Sequence, residues 1–231
     1  MIKWQDDKDV FGRMHVLTGD PLFKNLTNAV DHFDVDLTDA VSWGQLKSKR
    51  WLVDLLEESN GEIDLGTVFI CGGWWATLAA MLFNSKLDIE KIRSFDIDET
   101  CAPIAEAINK EQVRDGWKFK ASTLDIHDLQ YKGFPYTTHR SDGSEVELVD
   151  TANTIINTSC EHIENFYSWY NVIPKGTLVI LQSNNYEEIL DHVNCSKTIE
   201  EFSITTPMTR VLYEGELYLP EYTRFMKIGI K

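Results

Sequence analysis

Gly72 and Gly73 close the apolar run Thr67-Val68-Phe69-Ile70-Cys71. Glycines there let main-chain N–H groups approach a ligand closely, and a helix starting just beyond would add partial positive charge. Asp96 lies 23 residues after Gly73, at the end of a second apolar run. A carboxylate at that place can accept both hydroxyl hydrogens of a ribose. Asp125, in Leu124-Asp125-Ile126, lies 29 residues further on and can accept from an exocyclic amine. A polar cluster follows in Asn157-Thr158-Ser159-Cys160-Glu161-His162, where Glu161 and His162 could handle protons. The amides of Gln182-Ser183-Asn184-Asn185-Tyr186 could orient a polar substrate or simply satisfy loop backbone. Plainer roles stand beside these. Asp96 could only start a helix, Asp125 could cap a turn with Asp128, and Glu161 and His162 could open the next helix. Cys160 reads as a small buried hydrophobe.

Residues of this kind must be positioned by regular elements, and from about residue 66 short β-rich runs alternate with amphipathic helical stretches. That rhythm makes a mostly parallel sheet with helices on its faces. Expected strands cover 67–71, 92–97, 117–122, 154–157 and 177–181, the last introduced by Pro174-Lys175-Gly176. Helices are expected over 75–83 and from Asp98, an N-cap, through Ile108. Residues 131–153 read as an inserted β-hairpin around Ser141-Asp142-Gly143-Ser144, and two further strands are expected near 210–215 and 223–230. Residues 1–60 lack the β rhythm and look helical, a cap over one end of the sheet. One domain is expected over 1–231, with its α/β core in 61–231. In such a sheet ligands bind at the carboxyl ends of the strands, where the glycines, both acids and the later polar loops all fall. The cap and the hairpin would act as lids suited to a small molecule.

Composition narrows the function classes. With 37 acidic against 22 basic residues the formal charge is −15, and the field of the whole molecule disfavours a nucleic-acid partner. The basic cluster Lys47-Ser48-Lys49-Arg50 is too short to act as a binding tract and reads as a solvated helix face. Cys71, Cys101, Cys160 and Cys195 are widely spaced without Cys-x-x-Cys or Cys/His pairs, so neither a metal site nor a disulfide framework is expected. No leader-like or membrane-spanning apolar run stands out, and a cytoplasmic protein is the expectation.

The ordered set of glycine turn, two acids and polar loop resembles the class I S-adenosylmethionine (SAM)-dependent methyltransferases, over roughly residues 60–231. Glu161-His162-Ile163 is similar to the Glu-His-(Ile/Leu/Val) segment that many small-molecule members carry after their fourth strand. Ile173-Pro174-Lys175-Gly176-Thr177-Leu178-Val179-Ile180 is similar to the family's Pro-Gly lead into strand five. The resemblance implies a Rossmann-like sheet of seven strands with an antiparallel C-terminal strand, and SAM as cofactor. It implies that Cys71, Gly72 and Gly73 hold the methionine portion, that Asp96 and Ile97 serve the ribose side, and that Asp125 and Ile126 lie near the adenine. Asn157 and Ser159 would border the cofactor, Glu161 and His162 would be catalytic, and Asn184, Asn185 and Tyr186 would meet substrate. The sequence departs from the family in its first loop. Ile70 stands where an acid is usual, and Trp74 and Ala76 stand where later glycines would fall. Trp74 and Trp75 could offer ring faces to a sulfonium or ammonium cation, or could simply pack as indoles.

A sulfonium makes each attached carbon electrophilic, so the protein need only align a nucleophile and exclude water. Methyl transfer to a small polar molecule is therefore the leading expectation. Another SAM-consuming reaction (aminocarboxypropyl transfer, cyclisation or cleavage) and a non-catalytic SAM-binding protein are the alternatives. A nicotinamide-dependent dehydrogenase is disfavoured because the loop lacks Gly-x-Gly-x-x-Gly.

Overall fold

The computed structural model describes residues 5–139 and 142–231; Ser141, in the expected hairpin turn, lies outside them. The chain falls into two compact units, one running up to Asp64 and continuing over Ile70–Thr123, the other comprising Leu65–Phe69 and Leu124–Lys231.

The first unit contains helices α1 (Gln5–Thr18), α2 (Pro21–Phe33) and α3 (Trp43–Glu58). Strand β1 (Thr67–Cys71), which enters this unit at Ile70, precedes α4 (Thr77–Phe83), β2 (Lys91–Asp96), α5 (Cys101–Ile108), α6 (Lys110–Arg114) and β3 (Phe119–Thr123). Residues 1–60 are mainly helical where described, as expected. Asp20 caps α2 by accepting from Leu22 N–H at 2.9 Å, and Pro21 is preset for the first turn. The helical spacing of Leu26, Ala29 and Val30 forms one buried face, which packs with Ile104 and Ile108 of α5 and Ala80 of α4. Asn25 Nδ2 fixes the contact by donating to the Ile108 carbonyl at 3.3 Å. The basic cluster is only partly solvated. Arg50 pairs with Asp54 on the surface, but Lys49 is buried and donates to Gln45 one turn back.

Three element starts differ from expectation for backbone reasons. Trp74 and Ala76 take left-handed φ values of 48° and 54°, so α4 begins at Thr77 instead of Trp75. Gly116 and Trp117 do the same at φ 59°, which delays β3 to Phe119. Helix α5 also starts late: Asp98 accepts from Thr100 N–H at 2.8 Å in a turn, and Thr100 takes the N-cap position.

The second unit holds β4 (Phe134–His139), β5 (Glu145–Asp150), β6 (Thr154–Asn157), a 3-10 turn at Cys160–His162, α7 (Phe166–Val172), β7 (Leu178–Asn184), α8 (Ile199–Thr205), β8 (Arg210–Tyr218) and β9 (Thr223–Ile230). The expected hairpin is present: β4 and β5 pair antiparallel from Phe134↔Asp150 to His139↔Glu145. Its alternation buries Tyr136 and Thr138, and Phe134 meets Phe69 edge-to-face at 6.3 Å. Strand β7 runs three residues past its apolar stretch. Antiparallel pairing with β9 carries it on through Gln182↔Met226, Ser183↔Phe225 and Asn184↔Arg224.

Sheet order is β3-β2-β1-β6-β7-β9-β8, apart from the two-stranded β4-β5 sheet. β2 and β3 pair parallel, as do β6 and β7, while β9 runs antiparallel to both β7 and β8. β1, β6 and β7 are buried at every position, the pattern of strands central to a mostly parallel sheet. No described helix is long and apolar enough to cross a membrane.

Candidate functional site

In the first unit the loop after β1 is built by its two glycines for two different reasons. Gly72 has φ 67°, a conformation that favours glycine. Gly73 is a close approach: a Cβ there would lie 2.0 Å from Ser94 Oγ in β2. Gly73 N–H donates to the Phe95 carbonyl at 2.9 Å, and Ala76 N–H returns to the Gly73 carbonyl at 2.8 Å, closing a tight turn. Cys71 is fully buried.

Asp96 ends β2 and its carboxylate is locked by main-chain donors. Trp74 N–H donates to Oδ2 at 2.7 Å and Asp98 N–H to Oδ1 at 3.1 Å. A carboxylate offers about four lone-pair sites, so it retains capacity for further donors such as ribose hydroxyls. Ile97, next in the chain, is 72% exposed despite being aliphatic. Cys101, at the start of α5, is inert: burial first, then Asp96 and Asp98, push its thiol up to about 12. The two indoles stack at 4.9 Å, and Trp75 packs against the α2 and α5 core. Trp75 is thus partly buried against that core, and Trp74 is tied to Asp96 through its N–H.

In the second unit Asp125 accepts from His127 N–H at 2.9 Å and from His127 Nδ1 at 2.8 Å. The His127 main-chain donor chiefly, helped by its ring, holds the Asp125 carboxyl below its ordinary range. Ile126 has its side chain buried and its carbonyl engaged by Tyr131 OH at 3.2 Å, which in turn accepts from Trp169 Nε1 at 2.8 Å.

The polar segment after β6 is more ordered than its sequence suggests. Asn157 Oδ1 accepts from Ser159 N–H at 2.8 Å, whereas its buried Nδ2 has no partner among the described residues. Glu161 is 1% exposed. Its Oε1 accepts from Asn184 Nδ2 at 2.7 Å and from Arg224 NH2 at 3.1 Å, while its buried Oε2 is unpartnered among the described residues. Arg224 NH1 donates to the Thr158 carbonyl at 2.7 Å. Burial works against the Arg224 charge, but Glu161 and Tyr222 outweigh it and hold the guanidinium above its ordinary range. His162 is exposed, with Nδ1 donating to the Asp191 carbonyl at 3.1 Å, and meets the His192 ring edge-to-face at 4.6 Å. A surface groove of about 840 Å³, lined among others by Ile163, Phe166, Tyr167, Val193 and Asn194, continues from the residues that follow these two histidines.

The expected substrate residues Asn184, Asn185 and Tyr186 sit at and just beyond the end of β7. Asn184 is a buried strand residue whose amide holds Glu161 and whose Oδ1 accepts from Tyr186 N–H at 2.9 Å. Asn185 Oδ1 accepts from Thr223 N–H at 2.8 Å, tying the end of β7 to the start of β9. Tyr186 is half-buried and stacks on Tyr222 at 5.5 Å. Arg224 and His192 were missed in the sequence. A lone arginine inside Thr223-Arg224-Phe225-Met226 does signal a buried partner, whereas His192 sits in an aperiodic loop and carries no signal.

A β3-β2-β1-β6-β7-β9-β8 sheet with a reversed β9, a glycine turn after β1 and an acid ending β2 defines the class I methyltransferase fold. Solved structures share it. Magnesium protoporphyrin IX methyltransferase from Synechocystis PCC 6803, with bound SAM, matches at 12% identity and TM-score 0.56, covering 100% of this chain and 98% of that one. N-methyltransferase NodS from Bradyrhizobium japonicum WM9, in complex with S-adenosylhomocysteine, matches at 9% identity and TM-score 0.57, covering 92% and 99%. The [4+2]-cyclase SpnF matches at 12% identity and TM-score 0.56, covering 83% and 84%. At such identities the likeness is one of fold. No protein-family model matches the chain, and no curated protein does.

Proposed function

We propose that this chain is a SAM-dependent methyltransferase acting on a small polar molecule. The observation that carries the reading is Asp96, fixed at the end of β2 by Trp74 and Asp98 N–H groups on a class I methyltransferase sheet. Its donor chemistry fits a ribose diol, since the carboxylate is oriented in advance and keeps lone pairs open. Gly72 and Gly73 bring main chain to the methionine side, and Ile97 offers an exposed aliphatic face next to Asp96. The adenine-side roles of Asp125 and the Ile126 N–H belong to the same proposal, as do those of Asn157 and Ser159 beside the cofactor. Fold neighbours that bind SAM or S-adenosylhomocysteine support it.

Bound SAM supplies an activated methyl group on its sulfonium. The protein's own part is to hold the acceptor in line and exclude water. Of the two expected proton handlers, Glu161 is committed to Arg224 and Asn184, so it positions the segment and leaves His162 as the exposed acid–base group. The acceptor site belongs in the groove lined by Phe166, Tyr167 and Val193, which suits a small molecule. A second reading, attack at another SAM carbon, is favoured by one feature: Ile70 replaces the acid that usually steadies the methionine amine. Calorimetry with SAM and with NAD, followed by product analysis, tests the proposal. Saturable SAM binding with S-adenosylhomocysteine as product supports it; preference for NAD would sink it.

A further inference from the structure

A ring nitrogen of His162, a ring nitrogen of His192 and a carboxylate oxygen of Glu161 lie within 4.8 Å of one another. We propose that these three residues form a binding site for a divalent transition cation of the zinc class, within the second unit. Four observations carry it. First, Glu161 Oε2 is buried without a partner among the described residues, although the other oxygen is doubly bonded; a second acceptor atom is left for a ligand. Second, each imidazole presents Nδ1 to a carbonyl, His162 to Asp191 and His192 to Tyr186. A carbonyl can only accept, so Nδ1 of each ring is the donor, and in the neutral ring Nε2 carries the lone pair. Main-chain carbonyls thus orient both rings as outer partners orient metal-binding histidines.

Third, the ligand count suits an open site. Two imidazoles and one carboxylate form the set of catalytic zinc centres, which keep further positions for water or substrate. Imidazole-rich sites select zinc-class ions over magnesium or calcium, which prefer all-oxygen shells. Cys195, though close by in the chain, is not a fourth ligand. Burial first, then Glu161 and Glu187, push its thiol up to about 11, and it donates to Asn184 Oδ1 and the Tyr186 carbonyl. Fourth, Arg224 hydrogen-bonds Oε1 alone, so Oε2 keeps its lone pairs for a cation although the two oxygens share one delocalised charge. A cation at this place would take over the acid–base task assigned above to His162, by lowering the pKa of a bound nucleophile. The inference stands apart from SAM binding, because metal uptake can be read without any turnover.

The test uses the untagged full chain, dialysed against chelator and titrated with Zn²⁺ by calorimetry, with Mg²⁺ as the oxygen-preferring control. One Zn²⁺ per chain is expected. His162→Ala and His192→Ala should each weaken it by more than the ~10-fold that loss of an outer-shell partner costs. His139→Ala, which alters a surface histidine of the hairpin paired with Glu145 at 3.3 Å, should leave it unchanged. Co²⁺ titration of the unaltered chain gives a reading independent of variant folding: intense visible bands of a low-coordinate, nitrogen-ligated ion are expected. Absence of saturable Zn²⁺ binding, equal weakening by His139→Ala, or only the faint bands of six-coordinate Co²⁺ would overturn the site.

Discussion

The main-chain N–H of Trp74 donates to Asp96 Oδ2 at 2.7 Å, joining the loop after β1 to the end of β2. This bond turns a residue that breaks the family's glycine pattern into a support for the residue that keeps it.

Asp96 should therefore act in two separable ways. Asp96→Ala removes both the proposed ribose acceptor and the loop anchor, and SAM affinity should fall about 10- to 100-fold, the scale of charge-assisted hydrogen bonds. Asp96→Asn keeps one oxygen able to accept from Trp74 but turns an amide NH2 toward Asp98 N–H, so it should retain more thermal stability than Asp96→Ala while still losing affinity. Calorimetry beside a melting curve separates the two effects.

Gly73 is constrained by its neighbour and not by φ. Gly73→Ala drives a Cβ to 2.0 Å from Ser94 Oγ and should cost about 1–3 kcal/mol by overpacking. Ser94→Ala in the same chain removes the clashing oxygen, though its own Cβ stays at 3.3 Å. Denaturant titration of the single and double variants should show partial recovery.

The Glu161–Arg224 pair is deeply buried, with side chains 2% and 4% exposed. Arg224→Met leaves Glu161 charged in the core and should cost about 3–5 kcal/mol. Glu161→Gln combined with Arg224→Met removes both charges and should regain much of that loss. Chemical denaturation measures both, and a double variant no better than Arg224→Met would show the pair to be unimportant.

Asp125 predicts an acid-side effect. Its folded pKa lies below the ordinary 3.8, chiefly through the His127 main-chain N–H. A depressed carboxylate contributes stability above its unfolded pKa and loses it as pH falls through the folded value. Asp125→Asn should therefore destabilise at neutral pH, and its gap from the unaltered chain should close below about pH 4. Melting curves across that range check it.

Much of the fold was legible because apolar runs are. Thr67–Cys71 and Thr154–Asn157 are strands with the bounds that their β-branched runs imply. The misplaced starts of α4 and β3 come from left-handed residues at Trp74, Ala76 and Trp117, types that do not advertise that conformation. Strand β7 outran its apolar stretch because Gln182, Ser183 and Asn184 gain a partner strand from forty residues later in the chain. The same distance hid the site. Asp96 could be read from its place after a strand, but that Glu161 is held by Asn184 and Arg224, and that His162 faces His192, depends on contacts no local pattern encodes.

The most direct measurement follows the methyl group. Purified chain is incubated with methyl-labelled SAM and the small-molecule fraction of a cell extract, and the products are separated and weighed by mass spectrometry. Methyl transfer predicts label in a new small molecule together with S-adenosylhomocysteine. Methylthioadenosine without S-adenosylhomocysteine, or unchanged SAM from a chain that does not bind it, would contradict the account.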